Sequence, residues 1–328
     1  MMSTKPLLEV KNLKTHFFTY NGVAKAVDDV SFDVAPGEMV GIVGESGSGK
    51  SVTARSVMRI VPTPPGKIVG GSITFDGRAL LELSEKQMQE VRGNQISMIF
   101  QEPMTALNPV YTVGYQLREV ILKHQQQTKA QALALAEEML RLVGIASPGQ
   151  RLREYPFQMS GGMRQRVIIA MALACRPKLI LADEPTTALD VTIQAQILKL
   201  IRELSDDLGT AMLLITHDLG VTAETVERVL VMYAGQVVEE APADDLFENP
   251  LHPYTEGLMT SMPSLSSDLT KDSGRLTEIP GVVPNLTNLP GHCYFYARCP
   301  KRTDRCREQV PELKALDSGR KVRCILYE

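Results

Sequence analysis

Two early stretches, residues 7–13 (LLEVKNL) and 26–34 (AVDDVSFDV), alternate apolar and polar positions. A period of two puts every second side chain on one face, which predicts half-buried antiparallel strands. Residues 37–44 (GEMVGIVG) break that pattern with a nearly continuous apolar run that closes on a glycine-rich loop. Such a run predicts a strand buried on both faces of a parallel sheet.

Helical spacing takes over further along. Residues 128–145 place Ala132, Leu135, Ala136, Met139, Leu140 and Val143 on one face, and residues 192–209 do the same with Ile193, Ile197, Leu200, Ile201 and Leu204, with Gly209 placed to end the helix. Between and after them lie KLILADE (178–184), AMLLITHD (211–218) and RVLVMYAG (228–235), short apolar runs bounded by polar or turn residues. Strands alternating with helices predict an α/β core with a mainly parallel sheet.

The texture changes after about residue 248. Prolines recur, periodic apolar runs thin out, and four of the five cysteines fall here. The chain therefore divides into a domain over 1–248 and a loop-rich extension over 249–328. An extension of about 80 residues stabilises itself poorly by apolar burial alone, so a metal staple makes physical sense.

Composition narrows the function classes. An apolar fraction of 44%, a charged fraction of 22% and a net charge of −3 are those of an ordinary globular protein, not of a basic nucleic-acid binder. The longest apolar run, VIIAMALAC (167–175), spans nine residues, and the opening residues carry no apolar stretch of signal-peptide length. A bilayer span needs about 20 apolar residues, so the expected location is cytoplasmic, with the cysteines as thiols or metal ligands. Cys175, alone on an apolar run, reads as a small core residue.

GESGSGKS, residues 44–51, fits the pattern G-x-x-x-x-G-K-[ST] directly after a predicted strand and before a segment able to open a helix. Glycines at 44, 47 and 49 let backbone N–H groups curl round a phosphate, and the helix adds the positive end of its dipole. Lys50 would reach the β and γ phosphates of ATP, and the Ser51 hydroxyl would ligate Mg²⁺. LILADE then delivers Asp183 and Glu184 to the carboxyl end of a strand, where Asp183 can hold Mg²⁺ and Glu184 can polarise an attacking water.

Between these lies QMSGGMRQR, residues 158–166. A phosphate loop, then S-G-G with a basic helix, then an aspartate–glutamate pair resembles the nucleotide-binding subunit of ATP-binding cassette (ABC) transporters. That resemblance implies an α/β P-loop NTPase core of the ABC type, with an antiparallel β subdomain and a helical subdomain over about 92–165. It implies nucleotide binding by Gly44, Glu45, Ser46, Gly47, Ser48, Gly49, Lys50, Ser51 and Val52, with Phe17 stacked on adenine. Gln101 becomes the Q-loop glutamine and joins Ser51 and Asp183 around Mg²⁺. Asp190 closes the D-loop, and His217 becomes the switch histidine beside the catalytic Lys50, Gln101 and Glu184. Ser160, Gly161 and Gly162 form a second anion cradle that faces the ATP of an opposite subunit. Met163 stands where many relatives have glutamine, so that side chain's hydrogen bond is missing here.

The stretches FQEPMTALNP, ADEPTTALDVTIQAQI, NPLHPYTEGLMTSMP and IPGVVPNLTNLPGHCYFYARCP are similar to those of the dipeptide and oligopeptide import branch. Importers of nickel and systems handling antimicrobial peptides share much of this pattern, and a soluble non-transport ATPase of the same fold is the alternative from another class. Membership of the branch implies a second ATPase subunit, a paralogue in a heterodimer, two transmembrane permease subunits and an extracytoplasmic peptide-binding protein. It implies no nucleic acid, and a peripheral position on the cytoplasmic face of the inner membrane. The expected permease groove spans about 101–115.

Cys293, Cys299, Cys306 and Cys324 are spaced C-x₅-C-x₆-C-x₁₇-C. Structural zinc sites usually use tighter C-x₂₋₄-C pairs. Four thiolates at wide spacing with a Cys–Pro step favour a [4Fe–4S] cluster, as the branch's extension also suggests, with Zn²⁺ as the alternative.

Overall fold

The computed structural model describes residues 5–101, 106–186, 190–261 and 279–328. In chain order the first half holds β1 (Leu8–Thr19), β2 (Gly22–Val34), β3 (Met39–Val43), α1 (Lys50–Val57), β4 (Gly66–Phe75), β5 (Arg78–Ala79), α2 (Glu85–Val91), β6 (Ile96–Ile99), α3 (Val113–His124) and α4 (Lys129–Leu142). The second half holds α5 (Pro148–Arg151), α6 (Gly161–Leu173), β7 (Leu179–Asp183), α7 (Val191–Leu208), β8 (Ala211–Ile215), α8 (Leu219–Thr225), β9 (Arg228–Tyr233), β10 (Gln236–Pro242), α9 (Ala243–Glu248), α10 (Pro253–Thr260), β11 (Lys314–Ala315) and β12 (Lys321–Val322). Among the described residues, no helix is long and apolar enough to cross a membrane.

The chain forms two compact units, the first made of Met1–Leu8, Asp33–Met39 and Thr74–Ile215. Its strands β6, β7 and β8 run parallel, with Ile96 opposite Leu179 and Leu179 opposite Ala211. All three are buried along their whole length, as their continuous apolar sequences require. Helix α6 packs on β6 and against α3 and α4. A capping box between Thr128 and Gln131 starts α4, whose buried face is Ala132, Ala136, Met139 and Leu140. Helix α7 starts on the Asp190 side chain and ends at Gly209, which adopts φ +62°. Among its described residues Ile197, Leu198, Ile201, Leu204 and Ser205 are buried, while the expected Ile193 and Leu200 are half-buried. Cys175 lies half-buried just past α6 rather than in the core, and burial raises its thiol pKa.

The second unit comprises Glu9–Phe32, Val40–Ile73 and Thr216–Glu328. Here β1 lies between β2 and β4. Strand β3 runs parallel to β9, with Val40 opposite Arg228, and β9 pairs antiparallel with β10. The 279–328 segment adds β12 antiparallel to β10 and β11 antiparallel to β12. Three arginines of that segment bury their heads in this unit. Arg323 donates to the carbonyls of Val237 and Pro311 and to Asp29. Arg320 donates to Oε1 of Glu239 at 2.7 Å and to the carbonyl of Asn249. Arg298 reaches Glu45.

Glu239 is fully buried and also accepts from the backbone N–H groups of Leu251 and His252, both at 2.9 Å. A buried carboxylate holds its charge only while such donors surround it. Arg320→Met is therefore expected to lower stability by about 3–5 kcal/mol, read as a shift in the urea unfolding midpoint, because it strands the Glu239 charge.

Candidate nucleotide site

In the second unit, β3 delivers the chain to Gly44, whose φ of +148° and position leave no room for a side chain. A Cβ there would sit 2.2 Å from the Met232 carbonyl. Gly49, at φ +103°, starts α1, and a Cβ on it would lie 2.3 Å from the Ala26 carbonyl. Both glycines are thus demanded by backbone approach and handedness together. Lys50 is buried, and its ammonium donates to the carbonyls of Gly44 at 2.7 Å and Glu45 at 3.0 Å. This folds its stem back over a loop in which Ser46 and Gly47 are exposed. The Ser48 hydroxyl is buried and has no hydrogen-bond partner among the described residues. Ser51 and Val52 are half-buried in the first turn of α1, where the Val52 carbonyl accepts from Ser56.

Phe17 is half-buried on β1, while Phe18 and Tyr20 next to it are exposed. His217 is exposed just beyond β8, following Thr216, whose N–H donates to the Ile42 carbonyl. Asp218 caps α8 by accepting from Val221.

The first unit carries the acidic pair. Asp183 is fully buried at the end of β7. Glu184 takes the left-handed conformation, φ +46°, and its N–H donates to the Ile215 carbonyl at 2.8 Å. A glutamate held at positive φ is strained, and such strain gathers where a side chain must be aimed. Here Gln101 Nε2 donates to Glu184 Oε2 at 2.7 Å, which brings together two residues 83 positions apart.

Ser160 caps α6, its hydroxyl accepting from the Met163 N–H at 3.4 Å, so Met163 contributes through its backbone. Ser160 and Gly161 are exposed, leaving the start of this helix open to an anion. Arg164 and Arg166 donate to the carbonyls of Pro156 and Val143. Gln165 is fully buried and donates to the Pro185 carbonyl, tying α6 to the segment just after Glu184. Sequence reasoning missed this bond, although a glutamine inside an apolar helix needs a partner. Asp190 accepts from the Ile193 N–H at 3.0 Å as the cap of α7. Residues 188–189 of the D-loop and 102–105 of the expected groove lie outside the described residues.

Tyr111 and Tyr115 stack at 4.5 Å, both exposed. Tyr115, Arg118, Leu133, Glu137 and Gln158 line a cavity of about 1100 Å³, so its walls are α3 and α4 more than residues 101–111.

All five cysteines are free. Cys293, Cys299, Cys306 and Cys324 line one small cavity with His252, Phe295, Tyr296, Lys301 and Arg302. Among the described residues, no three His, Cys, Asp or Glu side chains stand close enough together to hold a metal ion. Burial first, and the neighbouring thiols after it, push Cys293 and Cys324 up to about 11. Without a cation among them these groups are thiols at neutral pH.

An ABC transporter family profile matches residues 27–187, and a profile for the oligopeptide/dipeptide transporter C-terminal region matches 238–306. The chain is 57% identical to a protein of Sinorhizobium fredii named "Probable peptide ABC transporter ATP-binding protein", over 97% of this chain and 94% of that one. It is 54% identical to the oligopeptide transport ATP-binding protein AppD of Bacillus subtilis, over 100% of this chain and 98% of that one. A dimeric post-hydrolysis structure of the ATP-binding cassette MJ0796, bound to ADP and Pi, superposes with a TM-score of 0.65 at 27% identity, covering 72% of this chain and 98% of that one. Likeness of that extent at both levels places the chain in the ABC transporter family, as an ATP-binding cassette followed by the C-terminal region of the oligopeptide and dipeptide transporters.

Proposed function

We propose that this chain is the ATP-hydrolysing subunit of a membrane importer of dipeptides or oligopeptides, acting on the cytoplasmic face of the membrane. The observation that carries this reading is the pairing, in one chain, of a cassette with the C-terminal region of peptide transporters. The cassette occupies residues 1–248, with its helical subdomain over about 92–165, and the extension occupies 249–328.

In this reading the loop from Gly44 to Val52 cradles the phosphates and Phe17 stacks on the adenine. Lys50 leaves the Gly44 and Glu45 carbonyls to meet the β and γ phosphates. Ser51, Gln101 and Asp183 offer only oxygen ligands, the donor set that suits Mg²⁺. When bound, that ion offsets charge on the β and γ phosphates. Glu184 accepts the proton of the attacking water, and the Gln101 amide fixes the direction of its carboxylate. His217 answers the γ phosphate. The exposed start of α6, with Ser160, Gly161 and Gly162, serves the nucleotide of the opposite subunit, which is a paralogue, and Asp190 lies at that interface.

The cavity beside Tyr115 and Arg118 receives a cytoplasmic segment of one of two permease subunits. An extracytoplasmic binding protein delivers the peptide to those permeases. ATP binding closes the pair of cassettes, and hydrolysis reopens it.

The four cysteines of the extension hold a [4Fe–4S] cluster. The lining of one cavity by all four supports this, and their wide spacing in sequence suits a four-iron cluster better than Zn²⁺. Lys301 and Arg302 at the cavity wall offset the negative charge of four thiolates. The cluster is a staple, remote in sequence from Glu184.

Glu184→Gln, assembled with its partner subunits, is expected to bind ATP normally and lose at least about 100-fold in turnover, the lower end of what general-base catalysis contributes. Wild-type hydrolysis in that variant would reject Glu184 as the base. Lys50→Ala is expected to lose MgATP affinity, as measured by equilibrium dialysis. Protein purified without oxygen is expected to be brown and to carry about four irons per chain, and a colourless, zinc-loaded preparation would reject the cluster.

A further inference from the structure

The phosphate loop is held from outside by two residues of the C-terminal extension. Arg298 donates to Glu45 through both arms of its guanidinium, 2.7 Å to Oε2 and 2.8 Å to Oε1. Further donors of that fork go to the carbonyls of Pro280 and Ile279, both at 3.1 Å, and to the Tyr233 hydroxyl at 3.5 Å. Its side chain is 4% exposed and packs over the rings of Tyr233 and Phe295. Tyr254, fully buried against the same two rings, accepts the backbone N–H of Glu45 at 2.9 Å. The second residue of the loop is thereby fixed at both its carboxylate and its amide, by partners 253 and 209 positions away.

The chemistry of this contact is opposed to the loop's task. A cradle for phosphate favours positive potential, yet Glu45 puts a carboxylate inside it. We propose that Arg298 is a positioning residue for nucleotide binding: it neutralises Glu45 and turns the carboxylate away from the phosphates, with Tyr254 fixing the adjoining amide. The extension thereby sets the ATP affinity of the cassette. A bidentate guanidinium suits this because it fixes direction as well as charge. Arg298 stands directly before Cys299, so the segment that presents it is the one the cysteine site holds. The proposal rests on residues 44–51 being the nucleotide cradle.

The test uses the full chain with MgATP as the probe in equilibrium dialysis, alongside thermal unfolding of each variant. Arg298→Gln is expected to weaken MgATP binding about tenfold, a defect that shrinks as ionic strength rises. Adding Glu45→Gln to Arg298→Gln removes the stranded charge and is expected to recover most of the lost affinity. A purely structural role for Arg298 predicts no such recovery. Unchanged affinity in folded Arg298→Gln, or no recovery in the double variant, would overturn the proposal. Arg298→Lys keeps the charge and carries the test where Arg298→Gln does not fold. Its affinity is expected within about threefold of the parent, and a full tenfold loss would overturn the charge account. Lys50→Ala is run in parallel: if it binds MgATP as the parent does, the loop is not the cradle and the proposal falls with that reading.

Discussion

An ionised side chain withdrawn from water must meet an opposite charge or a set of hydrogen bonds, and the second unit is organised around that requirement. Glu239, at the centre of β10, takes Arg320 and two backbone amides. Asp29 takes Arg323 and Asn12. Glu45 takes Arg298. In each case the acid precedes residue 248 and the arginine follows residue 279. Aromatic packing of Tyr233, Tyr254 and Phe295 fills the space between, with ring centroids 4.6–5.5 Å apart. Charge pairing fixes where the extension lies, while apolar burial supplies the larger share of the favourable free energy.

The acidic pair of the first unit obeys the same accounting. Asp183 ends the five-residue buried strand β7 and Glu184 follows it, neither left on a solvated loop. Glu184 sits at positive φ and its carboxylate accepts from Gln101. Gln165 then ties the signature helix to the carbonyl one residue on. That bond is a short physical link between two motifs that the sequence presents as separate.

Much of this was legible before any coordinates. The unbroken apolar runs of β3, β7 and β8 could be assigned because burial on both faces permits no alternation, and the phosphate loop because its glycines fall at fixed spacing before Lys50; that Gly44 and Gly49 lie too near a carbonyl for a side chain shows only in the fold. The face of α7 was read in part: Ile197, Ile201 and Leu204 are buried as expected, while Ile193 and Leu200 are half-buried and Leu198 is buried instead, since a stripe one residue wide cannot follow a period of 3.6 without drift. What was not legible is long-range charge pairing. Nothing local to Arg298 distinguishes it from Arg302 or Arg305, because its partner lies 253 positions away. The four cysteines were read from their spacing as a metal site, whereas among the described residues no three His, Cys, Asp or Glu side chains stand together to hold a metal ion. The cavity beside Tyr115 could not be anticipated either, because its walls on α3 and α4 meet only after folding.

Strands β11 and β12 are two residues each and contribute little area, yet β12 covers the free flank of β10. A seven-residue strand rich in valine, with its hydrogen-bonding groups open on one side, is a template for pairing with another molecule. By occupying that flank with a short hairpin bearing Lys314 and Lys321, the extension also protects the protein from growing edge to edge with its own copies in a crowded compartment.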